Sequence, residues 1–277
     1  NQFLSLIREV KAKIHVERCF DEQNITHVHG KIDQNYDTEI IDTELLLADL
    51  QSVQKRIVSL EKKLNSGDKK VKKDLEILNK CQEVLLAGKS CRVLAKDFDK
   101  KELDKLQLIT TKPILYVSNV DEESLQNGNQ LSNQVTDTSL VQGTKNIIVS
   151  SKIEEEIASI SSLKEREEYI HALGIGESGL NKIITSAFEL LGLQCFYTVG
   201  EKEAHAWPFK KGTLAPVAAG IIHSDFEKGF IKAEVINYNK YLEFDNEIKA
   251  REKGEMRLEG KEYIIQDGDI VNFRFNV

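Results

Sequence analysis

The sequence predicts an α/β protein interrupted by an antiparallel helical hairpin and completed by a small β-rich module. Three observations carry this reading. Two short, nearly continuous apolar runs, residues 112–119 and 145–150, have the composition of buried parallel strands. Ahead of them, Leu46, Leu50, Val53, Ile57, Leu60 and Leu64 step by four, three, four, three and four, a heptad seam. Beyond residue 193, brief strand-like runs alternate with turn signals.

Each element follows from its own pattern. Phe3, Leu4, Ile7 and Val10 recur at helical spacing in residues 1–10, and residues 13–20 alternate like a strand. Residues 21–27 read as a loop. The long helix is expected from Asp42, with Thr43 as its cap and Asn65-Ser66-Gly67-Asp68 as its stop. At 1.5 Å per residue, an arm over 42–64 reaches about 35 Å. A second seam, Val71, Leu75, Leu78, Cys81 and Leu85, zips back along it. The Lys and Glu on its faces read as solvated flanks, which makes the hairpin a structural arm first. After the strand at 112–119, residues 125–143 read as a loop with a helix. Residues 153–173 and 179–193 read as helices, the second with Leu180, Ile183, Ile184, Ala187 and Leu191 on one face. The hairpin is thus inserted into an α/β domain with strands on both sides of it. The expected division is 1–38 and 111–193 for that domain, 39–110 for the arm and 194–277 for the terminal module.

Composition narrows the class. A formal charge of −7 argues against general nucleic-acid affinity, so an RNA contact needs a local patch. Four cysteines without C-x-x-C spacing suit a reducing compartment and support neither a zinc site nor a disulfide framework. The six histidines show no ligand spacing, and no metal site is expected. No apolar run approaches a membrane span and no signal peptide is visible, so a cytoplasmic location without membrane contact is expected. The chain opens on Asn1 and its one methionine is Met256, which reads as a fragment.

Two strand ends carry polar clusters: Asn119-Val120-Asp121-Glu122 after the first apolar run and Ser150-Ser151-Lys152 after the second. In doubly wound folds, ligands bind beyond the carboxyl ends of the strands. The pairing of N-x-x-[DE] with a following S-x-K therefore marks a nucleobase site. Gly88-Lys89-Ser90 is a decoy. A phosphate loop needs a glycine five residues earlier, where Glu83 stands, and it needs a strand before it. Gly88 instead follows a helix, as a C-cap glycine does. No Ser/His/Asp or Cys/His catalytic set is present. In the stretch from His171 to Leu180, the glycines read as a turn and Ser178 as the cap of the next helix.

The two clusters resemble the base-recognition elements of translation-factor-related GTPases, N-K-x-D and S-A-K. An aspartate at the fourth position of the first motif accepts two hydrogen bonds from guanine; here Glu122 is one methylene too long, and Val120 replaces the lysine. Three further blocks, Ala206 to Thr213, Ala215 to Phe226 and Glu262 to Val271, resemble the TGS domain of the YchF / Obg-like ATPase family. The stretch Ile40 to Leu50 shares that resemblance, which covers essentially the whole chain. The family implies a partial P-loop G domain, the inserted hairpin and a β-grasp TGS domain. It implies ATP as the nucleotide, with a GTPase proper as a further reading that Glu122 disfavours, and Mg2+ in the full-length protein. Asn119 would brace the base loop, Val120 would contact adenine through backbone and side chain, and Ser150, Ser151 and Lys152 would cover it. No phosphate loop, switch threonine or D-x-x-G can be assigned, so this chain alone is expected to be inactive as an ATPase.

In the terminal module, residues 196–198 and 204–209 suit a hairpin, 215–223 a helix, and 231–236, 263–265 and 270–275 further strands. Asp267-Gly268-Asp269 is a tight turn. TGS domains recur in proteins that act on RNA, so the resemblance implies a ribosome or RNA partner. Lys210, Lys211, Lys228, Lys232 and an exposed Phe230 are the candidate surface. The reading is thus the base-recognition and partner-binding portion of a YchF-type ATPase, whose ATP hydrolysis is coupled to ribosome or RNA binding. The alternative is a non-enzymatic RNA- or ribosome-binding adaptor.

Overall fold

The computed structural model describes residues 2–21, 34–63, 69–200, 202–244 and 247–276. The chain divides into two compact units, Asn1–Ala187 and Phe188–Val277.

In the first unit, helix α1 (Gln2–Glu9) leads into strand β1 (Lys13–Cys19). Helices α2 (Gln34–Glu61) and α3 (Lys69–Leu86) follow. Val53 and Ile57 of α2 are buried with Leu75, Leu78, Cys81 and Leu85 of α3, and Leu46, Leu50, Leu60 and Val71 pack against them. A link as short as 62–68 between helices packed on shared apolar faces makes the pair antiparallel. Helix α2 begins at Gln34, so Thr43 is an interior residue and not its cap. The seam continues upstream because Thr38 and Leu45 are also buried. Leu64, the stop signal at 65–68 and most of the expected loop at 21–27 lie outside the described residues.

The base of the arm is tied to the rest of the unit by a buried carboxylate. Asp49, fully buried on α2, accepts from the backbone N–H of Ile109 (3.0 Å), the N–H of Thr110 (2.7 Å) and the Thr110 hydroxyl (2.8 Å). Arg8 of α1 stands 3.1 Å from it. A short helix α4 (Lys100–Lys105), flanked by 3₁₀ turns at Cys91–Lys96 and Ile109–Thr111, returns the chain to the sheet.

Strand β2 (Ile114–Val120), helix α5 (Gln130–Val141) and strand β3 (Asn146–Val149) come next. The sheet order is β1-β2-β3, all parallel, so every carboxyl end falls on one edge. Central β2 is buried over nearly its whole length, which is why its sequence is continuous rather than alternating. The helical stretch expected at 153–173 is broken into α6 (Ser151–Ser159) and α7 (Leu163–Ala172). Ile160 is extended, and the Ser162 hydroxyl oxygen accepts from Glu165 N–H (3.4 Å), capping a new helix. The division between the units falls within α8 (Gly179–Leu191).

The second unit is a five-stranded sheet of order β5-β4-β8-β6-β7. Strands β4 (Leu193–Val199) and β5 (Ala204–Lys210) form the expected hairpin. Helices α9 (Ala215–Ile222) and α10 (Ser224–Lys228) precede β6 (Phe230–Asn237). Helices α11 (Tyr238–Phe244) and α12 (Glu247–Glu252), then β7 (Arg257–Glu259), lead to β8 (Asp269–Phe275). The last strand pairs parallel with β4 and antiparallel with β6. One sheet face buries Phe196, Phe209, Ala233, Val235 and Phe273 with Ala215, Ala218 and Ala219 of α9. Ile236 and Ile270 are buried with Ala250 of α12 in a second cluster. Residues 263–265 are not a strand. A single bridge, Leu214 to Ile264, replaces it, because Tyr263 turns back on Gly260 and Ile265 is drawn into the core. Gly268 takes φ 79°, as the expected turn requires.

Candidate functional site

The carboxyl edge of the three-stranded sheet brings the two polar clusters together. Asn119 pairs in register with Val149, the last residue of β3, so the residues that follow both strands emerge side by side. The Asn119 side-chain oxygen accepts the backbone N–H of Ser151 at 2.9 Å. Lys152 forms an ion pair with Glu122, linking the outer ends of the same loops. Asp121 accepts from Ser124 N–H (2.8 Å), which turns the chain back beneath the edge. At the β1 end, Asn129 donates to the Cys19 carbonyl (2.7 Å) and caps α5 in a reciprocal box with Ser132. Burial pushes the Cys19 thiol up to about 11, so it stays protonated at neutral pH.

Two side chains depart from the expected arrangement. Val120 is 2% exposed and packs with Cys19, Ile114, Tyr116 and Val135 beneath the edge. Its side chain therefore cannot contact a base, because alternation along β2 turns it inward when Asn119 faces the loop. The Ser150 side chain is also buried, and its carbonyl accepts from Glu154 N–H (2.9 Å).

Sequence reasoning missed the wall behind this edge. Gln126 donates to the Leu173 carbonyl at 2.7 Å, tying the loop after β2 to the turn after α7. Glu154 of α6 accepts from Gly179 N–H (2.6 Å) and Leu180 N–H (3.1 Å), holding the first turn of α8. Ser178 caps the same helix as expected, accepting from Asn181 N–H at 3.2 Å. A Cβ on Gly179 would lie 2.6 Å from Val149 Cγ1, so the helix approaches this closely only through glycine. Tyr169 donates to Glu156, and that bond raises its hydroxyl above the ordinary range. The signals were the glycines and Ser178; their partners Glu154 and Gln126 have no local signature.

Gly88-Lys89-Ser90 has no phosphate-loop geometry. Gly88 takes φ 69° just past α3, and its N–H donates to Leu85 O (3.0 Å). Ser90 donates to the Thr110 carbonyl at 2.5 Å.

The terminal-module residues are dispersed. Lys210 ends edge strand β5, Lys211 follows it, and Lys232 lies on β6 with β4 and β8 between the two strands. Lys228 stands 3.8 Å from Asp225. Phe230 corrects the expectation of an exposed aromatic. It is 5% exposed and lies edge-on to Phe273 at 6.1 Å, inside the core under α9.

These features define an α/β protein with a candidate ligand edge at the carboxyl ends of a parallel sheet, carrying a helical arm and a second, mixed-sheet unit. The family YchF-GTPase_C, described as a protein of unknown function (DUF933), matches residues 193–276. The chain is 45% identical over 280 residues to the ribosome-binding ATPase YchF of Bacillus subtilis (strain 168), covering 100% of this chain and 76% of the relative. It is 42% identical over 278 residues to the protein of that name in Escherichia coli O157:H7, with the same coverage, 100% and 76%. Among solved structures, the Schizosaccharomyces pombe YchF GTPase superposes with a TM-score of 0.83 at 31% identity, over 99% of this chain and 75% of that one. The chain belongs to the YchF family.

Proposed function

We propose that the edge formed by Asn119, Glu122, Ser151 and Lys152 is the nucleobase end of a nucleotide site, and that the protein binds and hydrolyses ATP in association with ribosomes. The observation that carries this is the hydrogen bond from Ser151 N–H to Asn119, which makes one loop system of two segments far apart in sequence. Asn119 then braces the edge rather than reading the base. The backbone around Val120 and the exposed stem of Lys152 offer the contact surface.

Glu122 supports adenine. Its carboxylate is engaged by Lys152, and its extra methylene displaces the two oxygens from where a guanine edge needs them. The names of the relatives divide on this point, with ATPase for the bacterial proteins and GTPase for the yeast structure. The phosphates and their Mg2+ are assigned to no residue here, and among the described residues no group of three or more His, Cys, Asp or Glu is placed to hold a metal. The parallel pairing of β4 with β8 under α9 supports a β-grasp TGS reading of the second unit, and the strands before and after the arm support a G-domain reading of the first. With ribosome association goes a cytoplasmic location.

The test is competition binding of ATP and GTP to the full-length protein. ATP is expected to win, and Glu122→Asp is expected to move the ratio toward GTP by about tenfold, or 1.4 kcal/mol. A wild-type preference for GTP would overturn the assignment of the base.

A further inference from the structure

Helix α6 carries the second polar cluster in its first turn, and that turn is oriented from outside rather than by its own cap. Ser151 and Lys152 are its first two residues, both exposed. The Ser150 side chain, at the cap position, makes no capping bond to the helix. The Ser151 N–H is taken instead by the Asn119 side-chain oxygen at 2.9 Å. One such bond fixes a point and leaves the helix free to pivot about it. Ile153 and Ile157 are buried, but apolar contact is non-directional and decides only which side of α6 faces inward.

The second directional anchor is Glu154, later in the same turn. One of its carboxylate oxygens accepts from Gly179 N–H (2.6 Å) and the other from Leu180 N–H (3.1 Å). Two bonds from one planar group fix direction as well as distance. Helix α8 has a cap of its own in Ser178, whose hydroxyl oxygen accepts from Asn181 N–H (3.2 Å), so Glu154 is not needed to begin it. The seat of α8 is closely defined. A Cβ on Gly179 would lie 2.6 Å from Val149 Cγ1 and 3.0 Å from the Glu154 carboxylate, which places the helix start against the end of β3. The loop after β2 leans on the same connection, through Gln126 and the Leu173 carbonyl (2.7 Å). Both loops of the edge are thus held to residues 173–180.

We propose that Glu154 is a positioning residue for nucleobase recognition: its hold on the start of α8 sets the angle of the first turn of α6, and with it the placement of Ser151 and Lys152 over the base. This role rests on the nucleobase reading of the edge. Glu154 acts through those two residues and does not itself touch the nucleotide. A carboxylate suits the task because it meets the first two unpaired N–H groups of a helix and the positive end of its dipole at once. Glu154→Gln keeps one acceptor and turns an amide N–H toward the other donor; Glu154→Ala removes both acceptors.

The experiment uses the full-length protein as wild type, Glu154→Ala, Glu154→Gln, Ser178→Ala and Asn119→Ala. Affinities for ATP, for GTP and for inorganic tripolyphosphate, which has no base, are measured by equilibrium competition. Glu154→Ala should weaken ATP about tenfold, narrow the ratio of ATP to GTP affinity and leave tripolyphosphate unchanged. Glu154→Gln should shift the same two quantities by less, and it carries the comparison if Glu154→Ala melts below the assay temperature. Ser178→Ala removes the cap of α8 and spares the Glu154 bonds, so it should lower the melting temperature without changing the ratio. Equal losses for ATP and tripolyphosphate would overturn the proposal, as would a ratio change in Ser178→Ala as large as in Glu154→Ala, because helix stability would then be the cause. Weakened ATP binding in Asn119→Ala alone leaves the base edge standing and sinks the positioning role. ATP binding indifferent to both Asn119→Ala and Glu154→Ala removes the base site, and the role with it.

Discussion

Asn119 and Ser151, 32 residues apart, are joined by a 2.9 Å hydrogen bond from the serine N–H to the asparagine side-chain oxygen. That bond fixes how the loop after β2 lies against the start of α6. Asn119→Ala leaves a backbone donor without its partner at the edge where the base is proposed to sit. Nucleotide affinity of the full-length protein is expected to fall about tenfold, corresponding to 1–2 kcal/mol. Asn119→Asp retains an acceptor and should lose less. Calorimetric titration with ATP checks both, and equal losses would show that the bond is not what matters.

Asp49 anchors the arm. It is fully buried and holds two backbone donors, the Thr110 hydroxyl and the Arg8 guanidinium. Asp49→Ala strands all of them and is expected to cost about 3–5 kcal/mol. Urea unfolding of the variant against wild type measures this, and a loss below 1 kcal/mol would show that water replaces the carboxylate.

Lys13 gives the first unit a pH dependence. Half-buried at the start of β1, its ammonium is held down to about 8, first by burial and then by the Arg92 guanidinium, while Asp42 and Asp49 oppose the shift and Lys112 adds to it. Between about 8 and 10.5 the unfolded chain therefore binds more protons at this site than the folded one. Lys13 thus contributes stability that is present above the unfolded value and lost as pH falls through the folded one. Stability against urea should rise over this window relative to Lys13→Met, which should lack the rise and gain on the order of 2 kcal/mol at pH 7. Parallel pH profiles for the two proteins would refute this assignment.

Gly229 closes the second unit. A Cβ there would lie 1.9 Å from the Asn276 carbonyl oxygen, a backbone atom held by the bond from Asn276 N–H to Gly229 O (2.9 Å). No rotamer relieves that clash, so Gly229→Ala should destabilise the unit by about 1–3 kcal/mol. Gly88→Ala meets no atom within 4 Å and strains only its positive φ, so its thermal shift should be smaller.

Local pattern was enough for the elements that depend on it. The heptad seam gave the arm its two helices because apolar spacing alone decides which faces can zip. The apolar run of β2 marked a buried strand, that of β3 marked a strand buried only at Ile147 and Val149, and Gly88 marked a helix end rather than a phosphate loop. The start of α2 was misplaced at Thr43 because a capping side chain inside a polar stretch looks the same whether or not the helix has already begun. Helices α11 and α12 are too short to show a helical period; Tyr241 and Phe244 are only partly buried, packed against the cluster of Ile236, Ala250 and Ile270.

What the sequence determined by itself was the inventory: apolar runs ending at Asn119 and Ser150, a heptad arm, and a carboxylate of glutamate length at position 122. Only the tertiary structure decided which residues share a site. Parallel pairing places chain ends on one edge regardless of their separation in sequence, so Asn119 meets Ser151 across an α-helix that propensity cannot see past. The same three-dimensional packing turned Val120 and Phe230 inward, because which face of a strand is covered depends on what lands on it and not on the strand.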